Sequence, residues 1–395
     1  MTPETSIYIH IPFCVHRCAY CDFNTYAGQE AQIPAYIDAL VREIESVSKL
    51  NPDPVPAHTI FFGGGTPSLV PTRGLHSVMD ALRQAFTLTD TLEASLEANP
   101  GTVSAQSLAE MRAAGLNRLS FGVQSANPGE LRMLERAHDF FDVIQSVQWA
   151  RQAGFERLNL DLIYGLPEQT IENWQNSVKR ITDLAPDHIS MYALTLEHGT
   201  PFGRWAARGL LPIPDPDLAA EMYEWAEEFL TSLGYIQYEI SNWAFPGQES
   251  RHNLQYWRNL PYFGFGAGAH GSIDGIRYSN VLRIKTYIER LALTDNNPRP
   301  ASLPYPLSPA AVNHKRSPAH EAMQETMMLG LRLVHEGVSE SAFRARFGLG
   351  IAEAFPQEVA ELLRLNLLEW QNNALRLTPH ARLIGNQVFM RFVGD

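Results

Sequence analysis

The chain has 395 residues, of which 45% are hydrophobic and 19% are charged, and its formal net charge at pH 7 is -12. This composition excludes a disordered tail and a membrane-embedded protein, and the negative charge argues against nucleic acid as a bulk electrostatic partner. The length allows roughly two or three domains with a substantial buried core.

The N-terminal sequence MTPETSIYIHIPF has an acidic residue where a secretory signal would carry basic ones. Its apolar run has only the length of a strand, and no segment approaches the ~18 uninterrupted apolar residues of a membrane helix. We therefore predict a cytoplasmic protein without a signal peptide. In that compartment a cysteine cluster more often indicates metal or redox chemistry than a disulfide.

Short β-rich runs alternate with helix-length amphipathic stretches through the first half of the chain. The predicted strands are 6–11, 59–64, 93–99, 118–124, 157–165 and 188–195. Helices are predicted over 33–50 and 102–115, and the second ends at Gly115. Six strands that alternate with helices predict parallel βα units, in an open doubly wound sheet or in all or part of a barrel.

Polar and apolar side chains alternate within three of these strands. The polar positions are Ser95, Glu97, Asn99, Arg118, Ser120, Gln124, Asn159 and Asp161. A parallel strand covered by helices on both faces is apolar throughout, so this polar face is expected to line a cavity. The pattern favours a barrel with a wet or ligand-filled interior, whose functional end is the C-terminal edge of the strands.

The pattern changes beyond about residue 200. A helix is predicted over 217–234, and the glycine-rich stretch YFGFGAGAHGS (262–272) follows. Helical periodicity at 320–337 and 351–365, with a hairpin that turns at Asn372-Asn373, predicts a small winged-helix-like domain. The expected organisation is a partial barrel (1–240), a barrel-flanking region (241–294), a proline-rich linker (295–318) and a C-terminal domain (319–395).

All three cysteines lie in one short loop with C-x3-C-x2-C spacing, as Cys14, Cys18 and Cys21. Thiolates are the usual ligands of a [4Fe–4S] cluster, and one loop with this spacing can reach three of the four irons. The fourth iron would keep a position for a substrate, as catalytic zinc does. A zinc site completed by His10 or His16, or buried structural thiols, are the alternatives, and the spacing favours the cluster.

The cysteine loop, with the aromatic Tyr20 just before its third cysteine, resembles the signature of radical S-adenosylmethionine (radical SAM) enzymes. The resemblance implies a full or partial (β/α) barrel, commonly six-stranded, and a cluster whose open iron is chelated by the amino and carboxylate groups of SAM. In that family the reduced cluster cleaves SAM to a 5′-deoxyadenosyl radical. The turn GGGTP (63–67) resembles the one that holds the methionine amino group, and its backbone amides can approach a charged ligand closely.

One branch of that family, the coproporphyrinogen dehydrogenase-like proteins, is similar at further motifs: YIHIPFC, SLEANP, SFGVQS, DLIYGLP, MYALT and MMLGLR. The resemblance implies that Tyr8, Gly64 and Glu97 contact the cluster-bound SAM, and that Tyr20 presents its backbone to the adenine. It also implies a second SAM site formed by Gly65, Thr66, Gln124, Arg136 and Asp161. Solvated polar side chains at strand ends are the alternative interpretation of Glu97, Gln124 and Asp161.

Three departures from the dehydrogenase pattern resemble the HemW family of haem chaperones. Phe23 replaces a fourth cysteine, and the first strand begins near residue 6, so we expect no N-terminal arm. HNLQYW (252–257) matches the H-N-x-x-Y-W motif, in which His252 would ligate haem iron beside flat aromatic faces. A packed aromatic corner with a hydrogen-bonded histidine is the alternative, and cysteines or other histidines are also available as haem ligands.

These observations predict an α/β fold, a partial (β/α)6 radical SAM barrel followed by a small α+β winged-helix-like domain. The predicted function is a haem chaperone that carries a [4Fe–4S] cluster, binds SAM and transfers haem to haem proteins, respiratory ones among them. The alternative is an oxygen-independent coproporphyrinogen III dehydrogenase-like oxidoreductase. A homodimer and peripheral membrane contact stay open, and DNA reading by the C-terminal domain is disfavoured because no dense Lys/Arg face is present.

Overall fold

The computed structural model describes residues 5–50, 53–292, 303 and 305–393. The chain forms two compact units. Unit 1 comprises Met1–Ala226 with Pro261–Lys315, and unit 2 comprises Glu227–Leu260 with Arg316–Asp395. Among the described residues, none of the helices combines the length and the apolar composition needed to cross a bilayer.

The strands, in chain order, are β1 (Thr5–Ile11), β2 (Phe13–Cys14), β3 (Tyr26–Ala27), β4 (Val55–Gly64), β5 (Phe86–Ala98), β6 (Arg118–Gln124), β7 (Arg157–Tyr164), β8 (His188–Ala193), β9 (Ile236–Glu239), β10 (Asn242–Ala244), β11 (Tyr262–Phe265), β12 (His270–Ile273), β13 (Ile276–Asn280), β14 (Ala311–Arg316), β15 (Val338–Ser339), β16 (Leu368–Gln371) and β17 (Ala374–Leu377).

The helices are α1 (Ile33–Ser48), α2 (Thr72–Ala85), α3 (Ala105–Ala113), α4 (Pro128–Met133), α5 (Phe140–Gln152), α6 (Ile171–Thr182), α7 (Pro201–Ala207), α8 (Pro216–Ser232), α9 (Arg251–Trp257), α10 (Ile284–Leu291), α11 (Ala319–Gly330), α12 (Glu340–Phe347), α13 (Ile351–Ala354), α14 (Pro356–Arg364) and α15 (Gly385–Phe389). Short 3-10 segments occur at Glu30–Gln32, Pro67–Leu69 and Pro379–Ile384.

Six parallel strands of unit 1 follow one another in the sheet in chain order, β1-β4-β5-β6-β7-β8. Each is followed by a helix, because amphipathic segments such as α1 bury their apolar side chains against the sheet. This arrangement confirms the predicted α/β fold with six βα units. Parallel β strands share one C-terminal edge, so the loops after β1, β4, β5 and β6 lie at the same edge.

The sheet continues beyond β1 on its other side. β11 pairs with β1 in parallel, and β12 and β13 extend the sheet through antiparallel pairs. β14 lies beyond β13 at the end of the sheet. The glycine-rich stretch at 262–272, for which no strand was predicted, therefore includes a central strand next to the first strand of the chain.

The polar strand faces differ from the cavity lining predicted for them. Asn159 donates through Nδ2 to Ser120 Oγ (2.7 Å) and to Asp161 Oδ1 (2.7 Å), and Ser120 Oγ donates to Asp161 Oδ2 (3.0 Å). The Oδ1 atom of Asn159 accepts from Ser190 Oγ (3.1 Å) and lies 2.7 Å from Nδ1 of the buried His188. At this level of the strands the polar alternation forms a buried hydrogen-bonded layer, because the polar side chains satisfy one another.

The C-terminal part of unit 2 contains the predicted helices and hairpin. β16 and β17 pair antiparallel around Asn372 and Asn373, which both have positive φ, as a tight hairpin turn requires. β15 adds a third strand, and a shared apolar core includes Phe343, Leu375 and Phe389. This confirms a C-terminal domain of helices and a small sheet.

Two predictions in this region need comment. The helix predicted over 351–365 is two helices, α13 and α14, because the residue before Pro356 is restricted to extended backbone and Phe355 leaves the helical conformation. The predicted linker at 295–318 lies partly outside the described residues, and its described part includes β14. The predicted domain boundaries stay predictions.

Candidate functional site

The cysteine loop begins at the C-terminal end of β1. Cys14 lies in β2, which pairs with β3, so the two ends of the loop are held side by side. Tyr26 N donates to Pro12 O (2.7 Å), and within the loop Cys21 N donates to Cys18 O (3.1 Å). Cys14 is buried, and the other two thiols are half-buried. The loop therefore presents three thiols at the edge of the sheet where a barrel of this type has its functional end.

Two polar side chains from other loops approach these thiols. Thr66 Oγ1 donates to Cys14 Sγ (3.6 Å), and Arg136 Nη1 donates to Cys18 Sγ (3.7 Å). Burial raises the pKa of the Cys14 thiol, the hydrogen bond from Thr66 opposes this rise, and the charges of the other two cysteines add to it. Donors to sulfur stabilise a thiolate, which is the form that binds iron.

The donor set fits an iron–sulfur cluster better than a single zinc ion. Across the described part of the chain, no three His, Cys, Asp or Glu side chains are grouped to hold one metal ion. His10 already bonds through Nε2 to Asn24 O (2.9 Å) and through Nδ1 to Tyr8 OH (2.9 Å), and His16 Nε2 lies 2.9 Å from Glu135. In a [4Fe–4S] cluster each thiolate binds a different iron, so the three thiols need not meet at one point.

The glycine-rich turn at 63–67 lies directly against the cysteine loop. Gly65 N donates to Ile11 O (2.8 Å), and Thr66 N donates to Phe13 O (2.7 Å). A Cβ atom at Gly65 would lie 2.6 Å from Phe13 O and 3.0 Å from Cys14 Sγ. Only glycine permits this approach, so the turn and the thiols form one site.

Tyr8, Gly64 and Glu97 are neighbours, as their predicted common role in SAM binding requires. Gly64 N donates to Glu97 Oε2 (3.1 Å), and a Cβ atom at Gly63 would lie 3.1 Å from both Glu97 Oε2 and Tyr8 Cε2. Burial, with a smaller contribution from the charge of Asp161, raises the pKa of Glu97 to about 8. Burial also raises the pKa of Tyr8. The carboxyl group can therefore gain or lose a proton near neutral pH.

Most of the residues predicted for a second SAM site lie near the same edge. Arg136 Nη2 donates to Gly122 O (2.6 Å) and to Asn99 Oδ1 (2.5 Å), while Asn99 Nδ2 donates to Thr66 Oγ1 (3.0 Å). Gln124 ends β6 with a positive φ of 68°, which turns the chain away from the sheet. Asp161 belongs to the buried layer of β6 to β8.

Asn99 is a site residue that the sequence analysis placed on the polar face without giving it a role. It joins the two residues that approach Cys14 and Cys18, Thr66 and Arg136. Its signal in the sequence is its position two residues after Glu97, directly after the end of β5. Tyr20 interacts with Arg136, and its ring centroid is 6.4 Å from that of Phe202.

His252 belongs to unit 2, and its side chain is almost fully buried, with a relative exposure of 1%. It lies in α9, where Nε2 is 2.8 Å from the hydroxyl of Tyr256 and the two rings meet edge to face. The Arg332 guanidinium lies 4.4 Å from the ring centre of Trp257 and pairs with Glu239 (3.1 Å). This geometry matches the alternative interpretation of HNLQYW, a packed aromatic corner with a hydrogen-bonded histidine.

Comparisons with known proteins identify two family regions. Residues 8–181 match the Radical SAM superfamily, and residues 318–384 match the HemN C-terminal domain. The first region contains the cysteine loop, the glycine-rich turn and the strands that carry Glu97, Gln124 and Asp161.

Relatives named Heme chaperone HemW match over almost the whole chain. The Bacillus subtilis protein is 40% identical over 393 residues, which is 99% of each chain. The Lactococcus lactis protein is 35% identical over 99% of this chain and 97% of its own. Among solved structures, coproporphyrinogen III oxidase (HemN) from Escherichia coli, a radical SAM enzyme, has a TM-score of 0.82 and 25% identity, over 99% of this chain and 90% of its own.

Proposed function

The chain belongs to the radical SAM superfamily and, within it, to the HemW family, and from this premise we propose that it is a haem chaperone. The observation that carries the proposal is the full-length similarity to proteins named Heme chaperone HemW, at 40% identity. The cysteine loop agrees with it: Phe23, with a relative exposure of 64%, stands where the dehydrogenase pattern has a further cysteine.

We assign Cys14, Cys18 and Cys21 as the protein ligands of a [4Fe–4S] cluster. Tyr8, Gly64 and Glu97 would contact SAM at this cluster, with the backbone of Tyr20 toward the adenine. When bound and reduced, such a cluster supplies the electron that cleaves SAM. The residues of this chain would bind and orient: Thr66 and Arg136 donate to the sulfurs, and the Glu97 carboxylate would accept a hydrogen bond from the amino group of SAM.

The second SAM site is proposed at Gly65, Thr66, Gln124, Arg136 and Asp161. Arg136 bonds to Cys18, Asn99 and Gly122 and also interacts with Tyr20, and these contacts fix its guanidinium beside the cysteine loop. A ligand with a carboxylate would be held there by the remaining donors of the guanidinium.

Haem is the proposed cargo, and haem-accepting proteins, respiratory ones among them, are the proposed recipients. The proposed compartment is the cytoplasm, where thiols stay reduced. His252 remains a proposed haem ligand on the strength of the HNLQYW motif. In that role its Nε2 would exchange the hydrogen bond with Tyr256 for a bond to iron.

One anaerobic preparation of cluster-reconstituted protein tests the proposal through two measurements. Haem uptake is followed by absorbance, and its transfer to an apo-globin by the spectrum of the acceptor. Turnover of coproporphyrinogen III with SAM is followed by protoporphyrinogen formation. We expect haem uptake and transfer without turnover. Sustained protoporphyrinogen formation without haem transfer would refute the chaperone assignment and favour the oxidoreductase.

A further inference from the structure

A buried carboxylate on α1 accepts hydrogen bonds from residues 266–308 of unit 1. The Glu43 carboxylate is 1% exposed and accepts four hydrogen bonds. The donors are Gly266 N (2.8 Å), Asn280 Nδ2 (2.8 Å), Tyr287 OH (2.6 Å) and Ser308 Oγ (2.6 Å). Every donor comes from residues 266–308, so one side chain near the start of the chain fixes the backbone after β11.

The backbone fixed in this way is the glycine-rich segment 266–268. Tyr36 OH accepts from Ala267 N (2.8 Å) and donates to His10 O (2.7 Å), which ties the segment to the end of β1. Gly266 has a φ of 101°, and a Cβ atom there would lie 2.5 Å from His10 O. Glycine is required because the segment passes directly over the strand that leads into the cysteine loop.

Asn24 follows Cys21, the third cysteine of the loop, by three residues, and its side chain reaches the segment 266–268. Asn24 Nδ2 donates to Ala267 O (3.1 Å) and to Leu282 O (3.1 Å), and Tyr26 OH also donates to Leu282 O (3.1 Å). We call Asn24 and its acceptors, Ala267 O and Leu282 O, the exit anchor. A Cβ atom at Gly268 would clash with the Asn24 amide, so the anchor has no room for another side chain.

We propose that Asn24 is a positioning residue for the proposed cluster, and that the segment 266–282 belongs to the cofactor site as its supporting wall. This inference rests on the cluster assignment made above. Asn24 contacts no cofactor in this role. It holds the stretch after Cys21 in place, so that the third thiol keeps its position relative to the other two. Groups that orient metal ligands in this way commonly change metal affinity by roughly 10- to 100-fold when removed.

The test compares Asn24→Ala with Asn117→Ala. Asn117 is also half-buried and also makes two side-chain bonds to backbone groups, since it donates to Leu92 O (2.7 Å) and accepts from Ala94 N (2.9 Å), both in β5. Both variants are reconstituted anaerobically, and iron content, circular dichroism and the EPR spectrum of the reduced protein are recorded. The half-life of the cluster absorbance is then measured in the presence of an iron chelator.

We expect Asn24→Ala to lose its cluster roughly tenfold faster than the wild type and to broaden the EPR signal. Asn117→Ala should stay within about twofold of the wild type, since its bonds lie outside the cysteine loop. Equal half-lives and spectra for Asn24→Ala and the wild type would overturn the inference. A wild-type protein that takes up no cluster would refute the cluster assignment as well, whereas failure of haem transfer alone would leave this inference standing.

A glycine pair repeats the test without removing Asn24. Gly268 (φ 83°) and Gly154 (φ 86°) have nearly the same positive φ, so alanine meets a similar φ strain at both positions. A Cβ atom at Gly154 has no neighbour within 4 Å, whereas one at Gly268 displaces the Asn24 amide. Gly268→Ala should shorten the cluster half-life and Gly154→Ala should not. Equal half-lives for the two variants would contradict the exit anchor, even where Asn24→Ala fails to fold.

Discussion

Glu97 makes SAM binding depend on pH in a direction that its surroundings determine. Its pKa is raised from 4.5 to about 8, first by burial and then by the charge of Asp161, against the opposing hydrogen bond from Gly64. At pH 7 the carboxyl group of the free protein is therefore mostly protonated. The proposed ligand is cationic at its sulfonium, and its iron-bound amino group can still donate a hydrogen bond, so it selects the ionised form of Glu97 and its binding releases a proton.

The size of the effect follows from the ionised fraction. With a pKa of about 8, about 1% of Glu97 is ionised at pH 6 and about half at pH 8, and the apparent affinity scales with this competent fraction. SAM affinity should thus rise about 50-fold between these pH values and level off above them. Glu97→Gln should bind SAM more weakly at pH 9 and show no such rise, because the amide does not titrate.

The assay is isothermal titration of cluster-loaded protein with SAM from pH 6 to pH 9 under anaerobic conditions. Glu172→Gln is the control, because Glu172 is exposed at the start of α6 and its pKa is lowered by its own backbone amide and by Thr170. A flat profile for the wild type, or a retained slope in Glu97→Gln, would refute the reasoning.

A second check on Glu97 needs no ligand. Its pKa is higher in the folded protein than in the unfolded chain, so its contribution to the free energy of unfolding falls as the pH rises from 4.5 to 8. Glu97→Gln should therefore lose less thermal stability than the wild type over this pH range.

Two further predictions concern the aromatic residues Tyr256 and Trp174. Tyr256→Phe removes the hydroxyl that bonds to His252 Nε2, so if His252 binds haem, the haem affinity should rise about 2- to 12-fold, the worth of one hydrogen bond. His252→Ala should abolish haem binding. Both variants are titrated with haem and followed by absorbance, and equal affinities would mean that the motif is structural. Trp174 is fully buried and donates to Met222 O (2.8 Å). In urea unfolding, the free energy of unfolding should fall by about 1–3 kcal/mol in Trp174→Phe, chiefly because the carbonyl is left unpaired, and by about 3–5 kcal/mol in Trp174→Ala, because of the cavity. Equal losses in the two variants would contradict this division.

The parts of the structure that could be predicted are those encoded by neighbouring residues. The six parallel strands have local β-rich runs, and the Asn372-Asn373 hairpin has residues that tolerate positive φ. β11 and β12 were missed because glycine weakens the strand signal. Gly264 in β11 lies against His270 and Gly271 in β12 lies against Tyr278, while Gly266 between the strands contacts His10 and Tyr36 from the other end of the chain.

The parts of the candidate site that lie in a short sequence motif could be predicted. The contacts that one side chain makes with residues far away in the sequence could not. The cysteines and the glycine-rich turn are recognisable from spacing alone. Asn24 donates a hydrogen bond to Leu282 O, 258 positions later in the sequence, and no local pattern indicates that pair. The polar alternation of β6 and β7 indicated one polar face, but its side chains bond to one another and to His188 and Ser190 of β8, which the sequence does not distinguish from a wet cavity.

The pairing of β11 with β1 has a consequence for the order of events during synthesis. The cysteine loop leaves the ribosome before the acceptor at Leu282 and the hydroxyl of Ser308, which come more than two hundred residues later in the chain. At elongation rates of about 5–20 residues per second, this gap lasts roughly 15 to 50 s. During that interval the three thiols stand on a nascent chain without their supporting wall. Iron is therefore expected to enter after translation, once the two ends of unit 1 have joined.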